Sequence, residues 1–292
     1  MNAAPPSSGR PAVVARLTLR LGAHSRHTVM RPPRITFALL SSIALAGTAA
    51  TEEISVRDAN GVQLAAKIDF PSGEGPFPAI VMAPGQGYHM NMPAMEEVAI
   101  ALREQGIAVF RFNWAYFTAQ PKGQPSDDLS NELKDLQAVL LAARKHPKVL
   151  ARSLSVGGKS LGSIVAWKAL AADVSLRSAL LLTPICSRVP KGEAQPRSEA
   201  AENYPAFSKE RRPTLWIAGD RDPLCAPPIL YNFAAAGTGA VRVAIVGGDH
   251  SYESRTLSPQ AAEAARKRNI AAVSTMAASF LAELATAPTG AP

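Results

Sequence analysis

SLSVGGKSLGSIVAWKALAA, residues 153–172, changes character once. Ser153–Val156 reads as a buried strand that leads into a Gly157-Gly158 turn, and Leu161–Ala172 reads as an apolar helix. Between them Gly158-Lys159-Ser160-Leu161-Gly162 fits G-x-S-x-G. The pattern alone is not rare. Its weight comes from the strand before it and the helix after it, the context of a nucleophile elbow. A serine on so sharp a turn sits in a strained backbone conformation, and side chains two positions either way would collide, so both flanks need glycine. Ser160 would then present its hydroxyl at the C-terminal edge of a sheet, above a helix N-terminus that favours developing negative charge.

The same alternation of strand and helix continues in both directions. It predicts an α/β fold with a mostly parallel central sheet, helices on both faces and a short cap. Ile54–Arg57 and Val62–Asp69 flank Asn60-Gly61, so the sheet opens with an antiparallel pair. Pro78–Met82 and Ile107–Trp114 read as strands around a helix over Ala94–Gln105. Residues 115–126 read as a loop, and Asp127–Lys145 as an amphipathic helix with acids in its first turn. Ala179–Ile185, Thr214–Ala218 and Val241–Val246 are the later strands, residues 186–212 a cap or long loop, and Pro259–Leu284 an Ala-rich helix.

A serine nucleophile needs a base, and the base needs an orienting acid. His250 is the one histidine downstream of Ser160, in Gly247-Gly248-Asp249-His250 just past the last strand. The acid belongs after the preceding strand, where Asp220-Arg221-Asp222-Pro223 stands. Asp222 is the first choice, Asp220 the second and Asp249 a distant third. Two oxyanion donors are needed. One is the Leu161 N–H. The other comes from Pro84-Gly85-Gln86-Gly87-Tyr88, with Gln86 preferred and Gly87 the alternative. Gly158-Lys159-Ser160 also matches the end of a phosphate-binding loop, but the first glycine of that pattern would fall on Ser153, which excludes it.

Composition narrows the function classes. The chain has 292 residues, 47% hydrophobic and 18% charged, enough apolar side chain for a full core. The net charge of +8 is concentrated: Arg10, Arg16, Arg20, Arg26, Arg31 and Arg34 stand in the first 50 residues, which hold no Lys, Asp or Glu. The remainder is close to balanced and carries no footprint for nucleic acid. Met30 opens a charged start at Arg31 and Arg34, an apolar run over Ile35–Ala46 and small residues to Ala50. That is the pattern of a secretory signal peptide over residues 30–50, too short for a membrane span of about 20 residues. The expected organisation is a non-structural extension 1–29, the signal 30–50, the folded domain 51–286 and a tail 287–292, in a periplasmic or secreted protein with no membrane span after cleavage.

The ordered set of the Gly85-Gln86-Gly87 loop, the Arg111-Phe112-Asn113-Trp114 strand, the Gly158–Gly162 elbow, Gly219–Pro223 and Gly247–Tyr252 resembles the α/β-hydrolase superfamily. Within it the chain looks like the small dienelactone-hydrolase-like and testis-expressed hydrolase-like group, over residues 52–286. The resemblance implies a serine hydrolase of a small ester or related acyl substrate: Ser160 as nucleophile, His250 as base, Asp222 as orienting acid, and neither metal nor organic cofactor. One departure is Pro84-Gly85, where superfamily members usually have His-Gly. A catalytically silent scaffold that binds a ligand or protein partner is the alternative.

Tyr88, His89, Met90, Trp114 and Tyr116 follow the ends of two strands and are expected to line the substrate pocket. Cys186 and Cys225 each follow a strand. If those strands are neighbours, the two lie at one sheet edge and could pair in an oxidising compartment, bracing the Asp222 loop.

Overall fold

The computed structural model describes residues 48–120 and 122–286. The extension 1–29, the tail 287–292 and all but the last three residues of the expected signal lie outside the described residues. Strands β1 (Ala50–Arg57) and β2 (Gln63–Phe70) pair antiparallel around Asn60-Gly61. Then come β3 (Phe77–Ala83), α1 (Pro93–Glu104), β4 (Ala108–Phe112), α2 (Ala115–Ala119) and α3 (Ser130–Lys145). The elbow joins β5 (Val149–Lys159) to α4 (Leu161–Ala172), and β6 (Ala179–Leu182) follows. The cap holds β7 (Ser187–Arg188), β8 (Arg197–Ser198), α5 (Ala200–Asn203) and a helical turn at Phe207–Lys209. The chain closes with β9 (Thr214–Gly219), α6 (Pro227–Ala234), β10 (Val241–Val246) and α7 (Pro259–Thr286).

The main sheet has the order β1-β2-β4-β3-β5-β6-β9-β10 and is parallel from β4 onward. The period-two alternation of a strand sorts its side chains to two cores. Ala79, Val81 and Ala83 of β3 face the side of α3 and α4, and Ile80 and Met82 face the side of α1 and α7. By length and composition α7 could cross a membrane, yet it buries Ile270, Val273, Ala277, Phe280 and Leu281 in the second core. Under the cap, Tyr204 stacks edge-on to Trp216 at 4.7 Å and Phe207 stacks on Phe233 at 4.3 Å. Such pairs each contribute about 0.5–1.5 kcal/mol beyond their burial.

Three local expectations need correction. Gly157 and Gly158 do not make a turn: they are extended residues inside β5. Residues 115–126 are not all loop, because Asp135 Oδ2 accepts the Ala115 N–H at 2.8 Å and caps α2. Helix α3 starts at Ser130 rather than Asp127. Leu129 is left-handed, with φ 60°, and Asp128 Oδ1 accepts the Ser130 N–H at 2.9 Å, so Asp128 turns the chain into the helix, while Glu132 is the acid in its first turn.

Candidate active site

The parallel strands β3, β5, β9 and β10 deliver four loops to one edge of the sheet, and three of them carry the residues singled out by the motif. Ser160 stands between β5 and α4 with φ 55° and ψ −123°, a conformation that costs a side chain about 1–3 kcal/mol. What holds it is close backbone packing. A Cβ on Gly158 would lie 2.1 Å from the Gly162 carbonyl oxygen, and one on Gly162 would lie 2.3 Å from the Ala83 oxygen. The Ser160 N–H donates to the Leu182 carbonyl of β6 at 2.9 Å. The Ser163 hydroxyl donates to the Ser160 carbonyl and bonds Tyr204 Oη at 2.8 Å, so a cap tyrosine touches the elbow from behind.

His250 Nε2 lies 2.7 Å from Ser160 Oγ, and its Nδ1 lies 2.9 Å from Asp222. A carboxylate only accepts, so Nδ1 carries the proton and Nε2 offers its lone pair to the serine hydroxyl. Asp222 is buried, and its Oδ1 also accepts the Leu224 N–H at 2.9 Å. The two rival acids have other work. Asp220 Oδ1 accepts the Gly248 N–H at 2.7 Å, tying the two loops together. Asp249 accepts the N–H groups of Ser251 and Glu253. Gly219 lets the loops touch, since a Cβ there would meet the Gly248 oxygen at 2.3 Å.

The loop after β3 packs directly on the serine: a Cβ on Gly85 would be 3.1 Å from Ser160 Cβ. Among the described residues no acceptor engages the N–H of Leu161, Gln86 or Gly87 within hydrogen-bond distance. The Gln86 side chain points away and donates to Gln124 at 2.6 Å.

The expected pocket lining divides. Trp114 is fully buried and donates its Nε1–H to the Pro84 carbonyl at 2.9 Å, so it is a strut under the loop, not a lining residue. Met90 is also buried, its N–H bonded to Asn113 Oδ1 and its carbonyl to Arg111, whose guanidinium pairs with Asp69 at 2.8 Å. Both side chains turn inward because the loop is stitched to β4. Tyr88 is half-buried, and burial pushes its phenol up to about 12. Tyr116 faces a separate cavity of about 360 Å³ lined also by Asp58, Glu132 and Asp135. The His89 and Phe117 rings lie tilted against each other at 5.9 Å, and both remain half-exposed.

Cys186 and Cys225 form a disulfide. It joins the strand exit after β6 to the Asp222 loop, where the Cys186 and Ser187 N–H groups already donate to the Leu224 carbonyl. Among the described residues no group of three His, Cys, Asp or Glu side chains is placed to hold a metal ion. The contacts of Lys159 and of the Ser163 hydroxyl escaped the reading of the motif. The one signal for Lys159 was a lysine at the end of a strand, directly before the serine of the motif.

A family model described as an alpha/beta hydrolase domain matches residues 77–281. No curated protein sequence matches the chain. Among solved structures the chain is similar to dienelactone hydrolase from Anabaena variabilis, at 16% identity and TM-score 0.60, over 81% of this chain and 98% of that one. It is similar to an alpha-beta serine hydrolase homologue from Coxiella burnetii, at 19% identity and TM-score 0.58, over 78% and 96%. A serine hydrolase without a lid from Xanthomonas campestris aligns at 19% identity and TM-score 0.57, over 82% and 96%. At these identities the structures speak for the fold, and the match over residues 77–281 speaks for descent: the chain belongs to the alpha/beta hydrolase family.

Proposed function

We propose that this family member is a serine hydrolase that cleaves a small ester or related acyl substrate through an acyl-enzyme. The observation that carries the reading is the continuous line Ser160 Oγ, His250, Asp222 at 2.7 and 2.9 Å. Ser160 Oγ attacks the substrate carbonyl carbon and its proton passes to His250 Nε2. Asp222 holds the imidazole tautomer and stabilises the imidazolium. The N–H groups of Leu161 and Gln86 receive the oxyanion. The leaving alcohol takes the proton from Nε2, and water, activated by the same nitrogen, releases the acid and restores the serine. The half-exposed His89 and Phe117 at the rim suit a compact acyl or aryl group.

The disulfide and the leader-like segment support an oxidising compartment, periplasmic or extracellular, as the place of work. The test is labelling of the purified full chain with a fluorophosphonate, followed by peptide mass spectrometry. The expected result is one adduct, on Ser160, lost in His250→Ala. Correctly folded protein that takes no adduct overturns the reading and leaves a silent scaffold.

A further inference from the structure

Lys159 precedes the nucleophile and is 2% exposed. Its side chain leaves β5 on the face opposite α4 and ends between two loops of the site. Nζ donates to the His250 carbonyl at 3.0 Å and lies 4.7 Å from the centre of the Tyr88 ring. Tyr88 is two residues beyond Gln86, and its ring is pinned where its Oη accepts the Ala94 N–H of α1 at 3.3 Å. One ammonium therefore touches the loop that carries the Gln86 donor and the loop that carries the base. Among the described residues no carboxylate approaches it within ion-pair distance.

A buried cation without a carboxylate partner is expensive, and buried lysine outside an ion pair is rare for that reason. A structural role alone would be met more cheaply by methionine, which fills the same volume without a charge. The charge must therefore be offset by what surrounds it: the His250 carbonyl, the π face of Tyr88, and the field of Asp222, Asp249 and Glu253. Arg266 of α7, Glu253 and Glu97 of α1 also act on the Tyr88 hydroxyl, the arginine lowering it and the two carboxylates raising it.

We propose that Lys159, as its ammonium, is a positioning residue that clamps the His250 loop to the Tyr88 loop and so sets the geometry at Ser160. This deepens the hydrolase reading and rests on it. The clamp has a working range. Burial lowers the Lys159 ammonium to about 8, against the pull of Asp222, Asp249 and Glu253. Once neutral, the amine keeps a weaker hydrogen bond and loses its attraction to the ring and to the carboxylates. The site then slackens on the alkaline side.

The experiment measures the second-order rate of Ser160 phosphonylation by a fluorophosphonate between pH 6 and 9.5, for wild type, Lys159→Met and Lys159→Arg. Wild type is expected to fall above pH 8. Lys159→Met is expected to label about tenfold or more slowly at pH 7, the scale of a lost charge-assisted hydrogen bond, and to lack the alkaline fall. Lys159→Arg, which stays charged, keeps more of the pH 7 rate and also lacks the fall. Lys159→Met with the wild-type rate and profile overturns the proposal. Hydrogen exchange is measured in parallel over residues 249–254. Faster exchange in Lys159→Met is expected, and unchanged exchange overturns the clamp independently of chemistry. If Lys159→Met loses cooperative unfolding, Lys159→Gln replaces it: a neutral donor that keeps loop protection but not the alkaline fall. Wild type that never labels at Ser160 overturns the hydrolase reading, and the exchange result then decides the clamp alone.

Discussion

Replacing Gly162 by alanine tests how the elbow is held. The added Cβ would sit 2.3 Å from the Ala83 oxygen and 2.6 Å from the Pro84 oxygen. Both are backbone atoms at the end of β3, so neither can rotate away. Side-chain carbons essentially never approach other atoms closer than 3.0 Å, so the N-terminus of α4 must retreat by at least about 0.7 Å. Overpacking of this kind costs about 1–3 kcal/mol, which for a domain of this size lowers Tm by roughly 3–10 °C. Activity falls further than stability. The retreat moves Ser160 Oγ from its 2.7 Å contact with His250 and the Leu161 N–H from its place beside the Gln86 loop. A displacement on the order of 1 Å can cost about a hundredfold in rate. The assays are thermal unfolding by circular dichroism and hydrolysis of p-nitrophenyl acetate. Gly61→Ala is the control: its φ is +83° but nothing lies within 4 Å of the new carbon, so it loses about 1 kcal/mol and no activity. Gly162→Ala with wild-type Tm and rate would refute the packing argument.

Other outcomes follow from the same structure. Asp135 is raised to about 7, chiefly by burial, with Asp58 and Glu132 beside it. Its proton therefore stabilises the fold fully below the unfolded carboxylate range, and that contribution is lost as pH rises through 7. Asp135→Asn, which can still accept the Ala115 N–H, is expected to match wild type in Tm at pH 4 and to exceed it above pH 7; parallel curves across that range would count against the assignment. Removing the disulfide with Cys186→Ala and Cys225→Ala opens a loop with a sequence separation of 39, worth about 4 kcal/mol by chain entropy. Urea unfolding reads the loss, and the Asp222 loop should show faster hydrogen exchange. Arg111→Met strands the buried Asp69 carboxylate and the Met90 carbonyl; a loss of about 3–5 kcal/mol in urea titrations is expected, and a loss under 1 kcal/mol would show that the pair is not buried as described.

The elements around Ser160 were legible because their signals are local: an apolar run, two glycines at fixed offsets, an apolar helix. Asp222 and His250 were legible because each stands just past a strand end, and chain order assigned their places. The misreadings share a cause. Gly157 and Gly158 looked like a turn because glycine so often serves one. Here Gly157 clears Met82 and Ile80, and Gly158 clears the Gly162 backbone, needs that only the assembled sheet creates. Helix α2 was invisible because its cap, Asp135, lies 20 residues downstream. Trp114 and Met90 were placed in a pocket on proximity to strand ends, whereas hydrogen bonds to Pro84, Arg111 and Asn113 turn them into the core. The Lys159 contact spans 91 residues, beyond any pattern in a single segment.

The distance along the chain between Ser160 and His250 also orders events in time. The two are 90 residues apart, and the loop bearing His250 leads into α7, which packs on α1 from the first half of the domain. A growing chain that has passed Ser160 but not His250 holds a serine hydroxyl with no proton acceptor, on a sheet whose last strand has yet to be made. On the hydrolase reading, Ser160 gains its proton acceptor only when the His250 loop has come to rest beside it. Until the two loops meet, Ser160 is an ordinary serine hydroxyl.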